Sequence, residues 1–140
     1  MNCLVAIDQS TSATKAILFD TSGRILDKAA CNHRQIYPQP GWVEHDGEEI
    51  WQNLLAALAE LSSRQAAVIE DTIGISITNQ RETVLIFDRR TGKPLTPALV
   101  WQCRRGDPIC AKHHAAGHEE TVQRKTGLKL DTYFSGSKLQ

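Results

Sequence analysis

Residues 8–15 form a short polar segment whose side chains suit the binding of phosphate and magnesium. The segment, called the first loop below, reads Asp-Gln-Ser-Thr-Ser-Ala-Thr-Lys and combines one carboxylate, several hydroxyls and one ammonium. Mg²⁺ usually takes one or two carboxylates and keeps several waters, while hydroxyls, turn amides and a lysine neutralise the phosphates that it bridges. Asp and Ser residues also favour hairpin turns for purely structural reasons, so the residues alone leave both interpretations open.

Nucleotide binding through either of the common glycine-rich motifs is excluded. The chain contains neither G-x-x-x-x-G-K-[ST] nor G-x-G-x-x-G. A nucleotide, if bound, is therefore not held by a P-loop or by a dinucleotide-binding turn.

A second candidate site combines the neighbours Arg81 and Glu82 with the aromatic residues Trp101 and Tyr133. A guanidinium donates hydrogen bonds and a carboxylate accepts them, so together they suit the hydroxyls of a polyol. An aromatic face packs well on the carbon side of such a ligand. The alternatives are a structural ion pair or a solvated loop for the charged residues, and ordinary packing for the rings.

Cys110, His114 and His118 have the i, i+4, i+8 spacing of metal ligands on a helix. Gly117 interrupts that helix and a fourth ligand is not apparent, so a metal site is not predicted here. The four cysteines are irregularly spaced and form no C-x-x-C pair, which is typical of reduced thiols.

The elements that must position these residues begin with a predicted sheet. Apolar runs at 4–7 and 16–19 flank the first loop as a hairpin, and the segment 24–33 follows a tight turn as a third antiparallel strand. The β-branched run 73–77 predicts a strand that returns parallel to one of these. The polar stretch 78–83 follows its carboxyl end, where ligands bind in open α/β sheets.

The most regular predicted helix covers residues 47–62. Asp46 and Glu49 have the capping-box spacing, and apolar residues then recur with helical periodicity. The apolar stripe must bury against the sheet, which predicts an α/β layer.

The rest of the chain predicts shorter elements. They are a strand at 84–87, a turn at 88–93, an apolar run at 98–101, a polar helical segment at 104–125 broken near Gly117, and the opening of a helix at 135–140. Because that last helix stops before it buries a face, the chain is expected to be cut inside a larger protein.

Composition excludes several classes of protein. The 140 residues carry 16 Lys+Arg and 16 Asp+Glu, so no global field attracts nucleic acid or an anionic membrane, and no basic patch is visible. No apolar run approaches the roughly 20 residues of a membrane-spanning helix. The N-terminus lacks the features of a secretory signal. We expect a cytoplasmic protein with one domain or part of one, and with neither nucleic-acid nor membrane partners.

Five segments resemble, in order, the N-terminal part of the FGGY carbohydrate kinase family and its glycerol-phosphorylating members. They are Ile7–Ser12, Gln35–Asp46, Ile77–Thr83, Val100–Arg105 and Tyr133–Gly136, and together they span nearly the whole chain. The resemblance implies an actin-like, ribonuclease-H-like α/β domain, a mixed sheet with flanking helices. This domain pairs with a second one, and ATP and polyol meet in the cleft between the two.

The resemblance also implies roles for the candidate residues. Asp8 takes part in Mg²⁺ and phosphate handling, while Thr11, Ser12 and Lys15 contact ATP. On the polyol side, Arg81, Glu82 and Tyr133 match positions that hold the hydroxyls of glycerol, and Trp101 matches an aromatic residue that lines its carbon side.

The implied reaction is the ATP-dependent phosphorylation of glycerol to glycerol 3-phosphate, and the intact protein is a candidate homo-oligomer. The alternatives are an FGGY kinase for another polyol or sugar, and a non-catalytic ligand-binding module of the same fold. Glycerol-phosphorylating members usually have glycine at the position of Ser10 and arginine at that of Lys15. Residues 1–140 correspond to part of the N-terminal domain. The general base, a downstream aspartate, and the second, ATP-binding domain are absent, so this chain alone is expected to be inactive.

Overall fold

The computed structural model describes residues 2–140, and these divide into two compact units. The sheet unit comprises the described residues up to Arg34 together with Asp46–Gln80, and the loop-rich unit comprises Gln35–His45 and Arg81–Gln140. The strands are β1 Cys3–Gln9, β2 Ala13–Asp20, β3 Ile25–Asn32, β4 Glu44–His45, β5 Thr72–Thr78 and β6 Ala98–Leu99. The helices are α1 Gly47–Arg64, α2 Ala66–Ile69, α3 Asp107–Ala115 and α4 Glu119–Thr126, and a 3-10 turn covers Ser135–Lys138.

The sheet unit contains a four-stranded mixed sheet in the order β3-β2-β1-β5. Its first three strands form an antiparallel meander, and β5 pairs parallel to β1. Both predictions, the meander and the returning parallel strand, are confirmed. The register places Lys15 opposite Asp8 on one side and Thr78 beside Asp8 on the other. The first loop therefore leaves the sheet where β1 and β5 both end.

Helix α1 covers the sheet as its apolar periodicity predicts. The Asp46 carboxylate caps the helix by accepting hydrogen bonds from the amides of Glu48 at 2.9 Å and Glu49 at 3.4 Å. The Glu49 carboxylate accepts a 2.6 Å bond from the Arg34 amide, so it ties the incoming chain to the helix. The core beneath α1 consists of Cys3, Val5, Ile7, Ala16, Leu18, Ala29, Ala57 and Leu61.

The loop-rich unit has little regular structure. The prediction of a strand at residues 84–87 is wrong. Val84 and Phe87 make only isolated bridges, to Leu99 and Pro94. Leu85, Ile86 and Phe87 are exposed, so this apolar run lacks the neighbouring ladder that would make it a strand. The turn that follows is confirmed by a 2.8 Å bond from the Gly92 amide to the Asp88 carbonyl.

The helical segment predicted at 104–125 is confirmed, and it is divided as expected. Helices α3 and α4 are separated at Gly117, whose φ of 73° lies in the left-handed region that glycine adopts freely. At the end of the chain the predicted helix opening is a 3-10 turn, Ser135–Lys138.

The Arg105 side chain packs against the small apolar core of the loop-rich unit. Val43, Val100 and Cys103 form a small buried cluster. The Arg105 guanidinium lies 4.0 Å from the ring centroid of Trp42 and donates to the Glu44 carboxylate and the Cys103 sulfur. Burial alone would lower the pKa of Arg105, but the bonds to Glu44 and Cys103 raise it above its ordinary value.

Across residues 2–140, none of the helices combines the length and the apolar character that crossing a bilayer requires.

Candidate functional site

The carboxylate and the ammonium of the first loop face each other across the hairpin. The Lys15 Nζ lies 3.0 Å from Asp8 Oδ2, and the two side chains are 42% and 38% exposed. Their position at the carboxyl ends of β1 and β5 is where ligands meet an open α/β sheet. Both charged groups are therefore accessible to a ligand.

The turn of the first loop is held by hydrogen bonds from three directions. The amide and the hydroxyl of Ser10 each donate to the Ala13 carbonyl at 2.9 Å. The Gln80 side-chain amide, which follows β5, donates to the Ser10 carbonyl at 3.1 Å. The His33 backbone amide donates to the Ser12 carbonyl at 2.8 Å. These bonds hold the backbone of the turn at Ser10, Ser12 and Ala13.

Two hydroxyl-bearing residues of the loop, Thr11 and Ser12, reach the surface, whereas Thr14 is buried, and serine at position 10 is compatible with the turn. Thr11 is half-buried and Ser12 is exposed. Among the described residues only Glu82 combines a side chain with a positive φ, so the Ser10 backbone does not require glycine. The difference from the family's usual glycine is therefore accommodated without backbone strain.

A buried polar network supports the turn from the helix side. The His33 ring lies 3.0 Å from Thr14 Oγ1 through Nε2 and 3.0 Å from Asn53 Nδ2 through Nδ1. The same Asn53 amide donates to the Asn32 carbonyl at 2.9 Å, which fixes its orientation. Nδ1 must accept from Asn53, so the network assigns the proton of the neutral ring to Nε2. Burial lowers the pKa of His33, and Glu49 opposes that shift.

In the loop-rich unit the Glu82 backbone lies in an unusual conformation, and its carboxylate is anchored. Its φ is 62°, which few residues other than glycine adopt. Its Oε2 accepts hydrogen bonds from the Ser135 amide at 3.0 Å and from the Ser135 hydroxyl at 2.9 Å. A segment 53 residues further along the chain thus fixes the orientation of the candidate acceptor.

The two candidate aromatic residues pack against each other in the same unit. The ring centroids of Trp101 and Tyr133 lie 5.5 Å apart at an interplanar angle of 63°. Tyr133 also packs edge to face on Phe134, with 5.1 Å between the centroids. Edge-to-face contacts of this kind contribute about 0.5–1.5 kcal/mol each beyond the area that they bury. Since Tyr133 is two residues before Ser135, the structure brings Glu82, Trp101 and Tyr133 together; we call them the polyol cluster.

Within residues 2–140, no hydrogen bond, ion pair or ring contact joins the Arg81 side chain to the polyol cluster. The side chain is exposed, and across residues 2–140 it forms no hydrogen bond or ion pair. The ion pair between Arg81 and Glu82 that was the structural alternative is therefore not formed. The role of Arg81 toward a hydroxylated ligand stays a prediction.

Sequence reasoning missed Ser135, which donates to the Glu82 carboxylate, and Lys138, which donates to the backbone of residues 132–134. Both lie in the segment interpreted as the opening of a helix. The signal that could have pointed to Ser135 was its closeness to Tyr133 in the sequence. No comparable signal marked Lys138, whose partners are backbone carbonyls.

The histidines with metal-ligand spacing are engaged in local contacts. His114 bonds to the Glu119 carboxylate at 3.0 Å and to the Leu130 carbonyl at 3.2 Å, and His118 pairs with His113. In the described part of the chain, no three His, Cys, Asp or Glu side chains converge as a metal site would need.

Comparison with known protein families settles the wider classification. The model of the FGGY family of carbohydrate kinases, N-terminal domain, matches residues 3–140. The chain belongs to the FGGY family of carbohydrate kinases. Among curated FGGY relatives, the glycerol kinase of Delftia acidovorans is 50% identical over 140 residues, covering 100% of this chain and 28% of the relative. The glycerol kinase of Leptothrix cholodnii is 51% identical over 140 residues, again covering 100% of this chain and 28% of the relative.

Solved structures confirm the actin-like, ribonuclease-H-like fold class expected for an FGGY chain. A crystal structure of Plasmodium falciparum glycerol kinase with ADP matches 99% of this chain and 28% of that one, with a TM-score of 0.89 and 38% identity. Ligand-bound xylulose kinase from Lactobacillus acidophilus has the same TM-score at 20% identity, which demonstrates the fold alone. The chain thus spans about 28% of the length of the relatives that it matches.

Proposed function

We propose that this chain is the polyol- and phosphate-binding front of a cytoplasmic kinase that transfers the γ-phosphoryl group of MgATP to glycerol and forms glycerol 3-phosphate. The observation that carries the proposal is the convergence of Glu82, Trp101 and Tyr133 from three separate segments. The identity of about half the residues to glycerol kinases along the whole chain supports the choice of glycerol.

On the phosphate side, the first loop fits a magnesium-bound triphosphate. The Asp8 carboxylate is a hard oxygen ligand that can hold Mg²⁺ directly or through water, and Lys15 supplies a positive charge beside it. Thr11 and Ser12 add hydroxyls at the tip of the loop. Mg²⁺ supplies charge neutralisation for the transferred phosphoryl group, and these residues position it.

On the polyol side, each proposed contact has a distinct chemical task. The Glu82 carboxylate accepts hydrogen bonds from glycerol hydroxyls, and the exposed Arg81 guanidinium donates to a hydroxyl oxygen once glycerol is bound. The Tyr133 hydroxyl offers a further polar contact, while the Trp101 ring packs on the carbon backbone. Together these contacts would orient glycerol within the polyol cluster.

The catalytic step itself needs a general base, which the proposal places in a second domain outside these 140 residues. An aspartate there would accept the proton of the attacking hydroxyl. We therefore expect no steady glycerol phosphorylation from the 140-residue chain alone. Turnover by that purified chain would contradict this part of the proposal.

The test is a kinetic comparison in the intact protein. Glu82→Ala should raise the KM for glycerol at least about 10-fold, because a hydrogen bond to a charged group contributes about 1.5–3 kcal/mol. The KM for ATP should change less than about 2-fold. Glu120→Ala, which removes an exposed carboxylate from α4, is the matched control. Equal losses for the two substrates would refute the role of Glu82.

Substrate profiling separates the leading proposal from a kinase for another sugar. The intact protein should prefer glycerol over xylulose and gluconate by kcat/KM. A preference for either of the other two would retain the phosphoryl-transfer chemistry and reject glycerol as substrate. Ligand binding without any turnover would favour a non-catalytic module.

A further inference from the structure

The strained backbone at Glu82 needs a compensating interaction. A residue with a Cβ is less stable in the left-handed region than in the right-handed one, because its Cβ comes too close to the following carbonyl oxygen. Here the Glu82 side chain receives two hydrogen bonds from Ser135, one from the amide and one from the hydroxyl. Both bonds engage Oε2, and within residues 2–140 the other oxygen, Oε1, has no hydrogen-bond partner. The position of the Ser135 backbone therefore decides where the acceptor points.

The Lys138 ammonium holds the backbone just before Ser135. Its Nζ donates to the Thr132 carbonyl at 2.7 Å, to the Tyr133 carbonyl at 2.8 Å and, over a longer distance of 3.4 Å, to the Phe134 carbonyl. An ammonium has three donors, and they are matched here by three consecutive acceptors. The side chain thus clamps the short segment that carries the Tyr133 ring and leads into Ser135.

The 3-10 turn that carries Lys138 packs closely against the backbone of Gly106. A Cβ built on Gly106, at the start of α3, would lie 2.5 Å from Ser137 Oγ and 2.8 Å from Ser137 Cβ. Only glycine allows this approach. Because the turn is seated on α3, the Lys138 side chain starts from a defined position.

We propose that Lys138 is a positioning residue of the polyol site, which acts by clamping the 132–134 backbone and so aligns the Tyr133 ring and the Ser135 anchor of Glu82. The inference rests on the proposed function and adds a specificity-determining residue that touches neither substrate. Removing the ammonium releases two elements of the cluster at once. The Tyr133 ring loses its fixed packing on Trp101, and Ser135 no longer holds the Glu82 carboxylate.

The experiment measures steady-state kinetics of the intact protein with Lys138→Met, which keeps the length of the side chain and removes the donors. The KM for glycerol should rise about 10-fold or more, while the KM for ATP should stay within about 2-fold. Lys138→Arg, which restores charged donors, should recover part of the affinity. Lys125→Met, which removes an exposed lysine on α4, is the matched control. If Lys138→Met does not fold, Lys138→Gln, which keeps one amide donor group, takes its place with the same expected split.

A double-mutant cycle with Tyr133 distinguishes positioning from a general structural role. If Lys138 acts through the segment that carries Tyr133, Lys138→Met should raise the KM for glycerol by a smaller factor in a Tyr133→Ala background, where only the Ser135 anchor of Glu82 remains to be lost, than in the wild type. A merely structural role would lower the thermal midpoint and the active fraction and leave the KM for glycerol unchanged. An unchanged KM, or independent multiplication of the two effects, would overturn the inference.

The two proposals fail in different ways. If the wild-type intact protein does not phosphorylate glycerol, the proposed function is wrong and the inference falls with it. If the wild type is active, Glu82→Ala behaves as expected and Lys138→Met leaves the KM for glycerol unchanged, the inference alone is wrong.

Discussion

The first loop and the polyol cluster differ in how much of their structure is local. The first loop has short-range contacts of its own, the Asp8–Lys15 pair seven residues apart and the Ser10–Ala13 bonds three residues apart, and His33 and Gln80 add bonds from further along the chain. The polyol cluster depends on Glu82 and Ser135, which are 53 residues apart. The local contacts of the first loop can form with its hairpin, whereas the polyol cluster has no such local part and exists only when distant segments have packed.

The two units that carry these sites also differ in how their cores are built. The sheet unit buries an apolar layer between α1 and the strands, including the fully buried Leu18 and Leu61. The loop-rich unit has a smaller apolar core and relies on Arg105 between Glu44 and Trp42. We therefore expect apolar truncations to damage the sheet unit most and loss of one charged group to damage the loop-rich unit most.

The greatest loss of stability is expected when a buried apolar side chain of the sheet unit is truncated. Leu18→Ala should destabilise it by about 4 kcal/mol, because the side chain is 0% exposed and its removal leaves a cavity under α1. Urea unfolding and hydrogen exchange of the strand amides measure the loss. Leu55→Ala, at a position 41% exposed, is the control and should cost less than about 1 kcal/mol. Equal losses at the two positions would contradict the layered core.

A smaller loss of stability is expected when the loop-rich unit loses one charged group. Arg105→Met should destabilise it by about 3 kcal/mol, because it leaves the Glu44 carboxylate, 11% exposed, without its partner. Hydrogen exchange of amides in residues 98–105 should report the loss. Adding Glu44→Gln should restore part of the stability, and Arg104→Met, at an exposed position, should have little effect. If the double variant is no more stable than Arg105→Met, the unpaired carboxylate is not the cause.

A pH dependence should appear in the support of the first loop. Burial depresses the pKa of His33 below its unfolded value of about 6.5, so the unfolded chain binds more protons as the pH falls. The stability contribution is complete above about pH 6.5 and declines below it, by at most about 1.4 kcal/mol per pH unit. Protonation would also place an N–H of His33 against the Asn53 amide. Urea unfolding between pH 7.5 and 5.5 measures the loss.

His33→Gln provides the control for this prediction, because its side chain does not titrate. The free energy of unfolding of the His33→Gln variant should vary less between pH 7.5 and 5.5 than that of the wild type. The Asp20 carboxyl lies outside this window, since its hydrogen bonds, first of all from the Ser22 hydroxyl, lower its pKa to about 2. A wild-type profile that matches the variant would exclude His33 as the titrating group.

The smallest expected effect is at the start of α1. Asp46→Ala should cost about 1 kcal/mol, because the amides of Glu48 and Glu49 lose their acceptor. Asp46→Asn keeps an acceptor oxygen and should retain most of the stability. Thermal unfolding followed by circular dichroism compares the two. A loss in Asp46→Asn as large as that in Asp46→Ala would mean that the charge, not the cap, matters.

Much of the sheet unit could be predicted from the sequence because its signals are local. The apolar runs and turns predicted β1, β2 and β3, and the periodicity after Asp46 predicted α1 close to its observed bounds. The same reasoning failed at residues 84–87, where an apolar run found no neighbouring strand to pair with along its length. A run of this kind becomes a strand only through its partners, and those are a property of the fold.

The amino-acid pattern was enough to indicate the family, the hairpin that presents Asp8 and Lys15, and the residue types suited to a phosphate and a polyol. The positive φ of Glu82, the bond from Ser135 to its carboxylate and the bonds from Lys138 to the backbone around Tyr133 became evident only in the folded chain. The physical reason is the range of the interactions. Turn and helix preferences act over a few residues and can be read along the chain, whereas a bond between distant segments forms only once packing has brought them together.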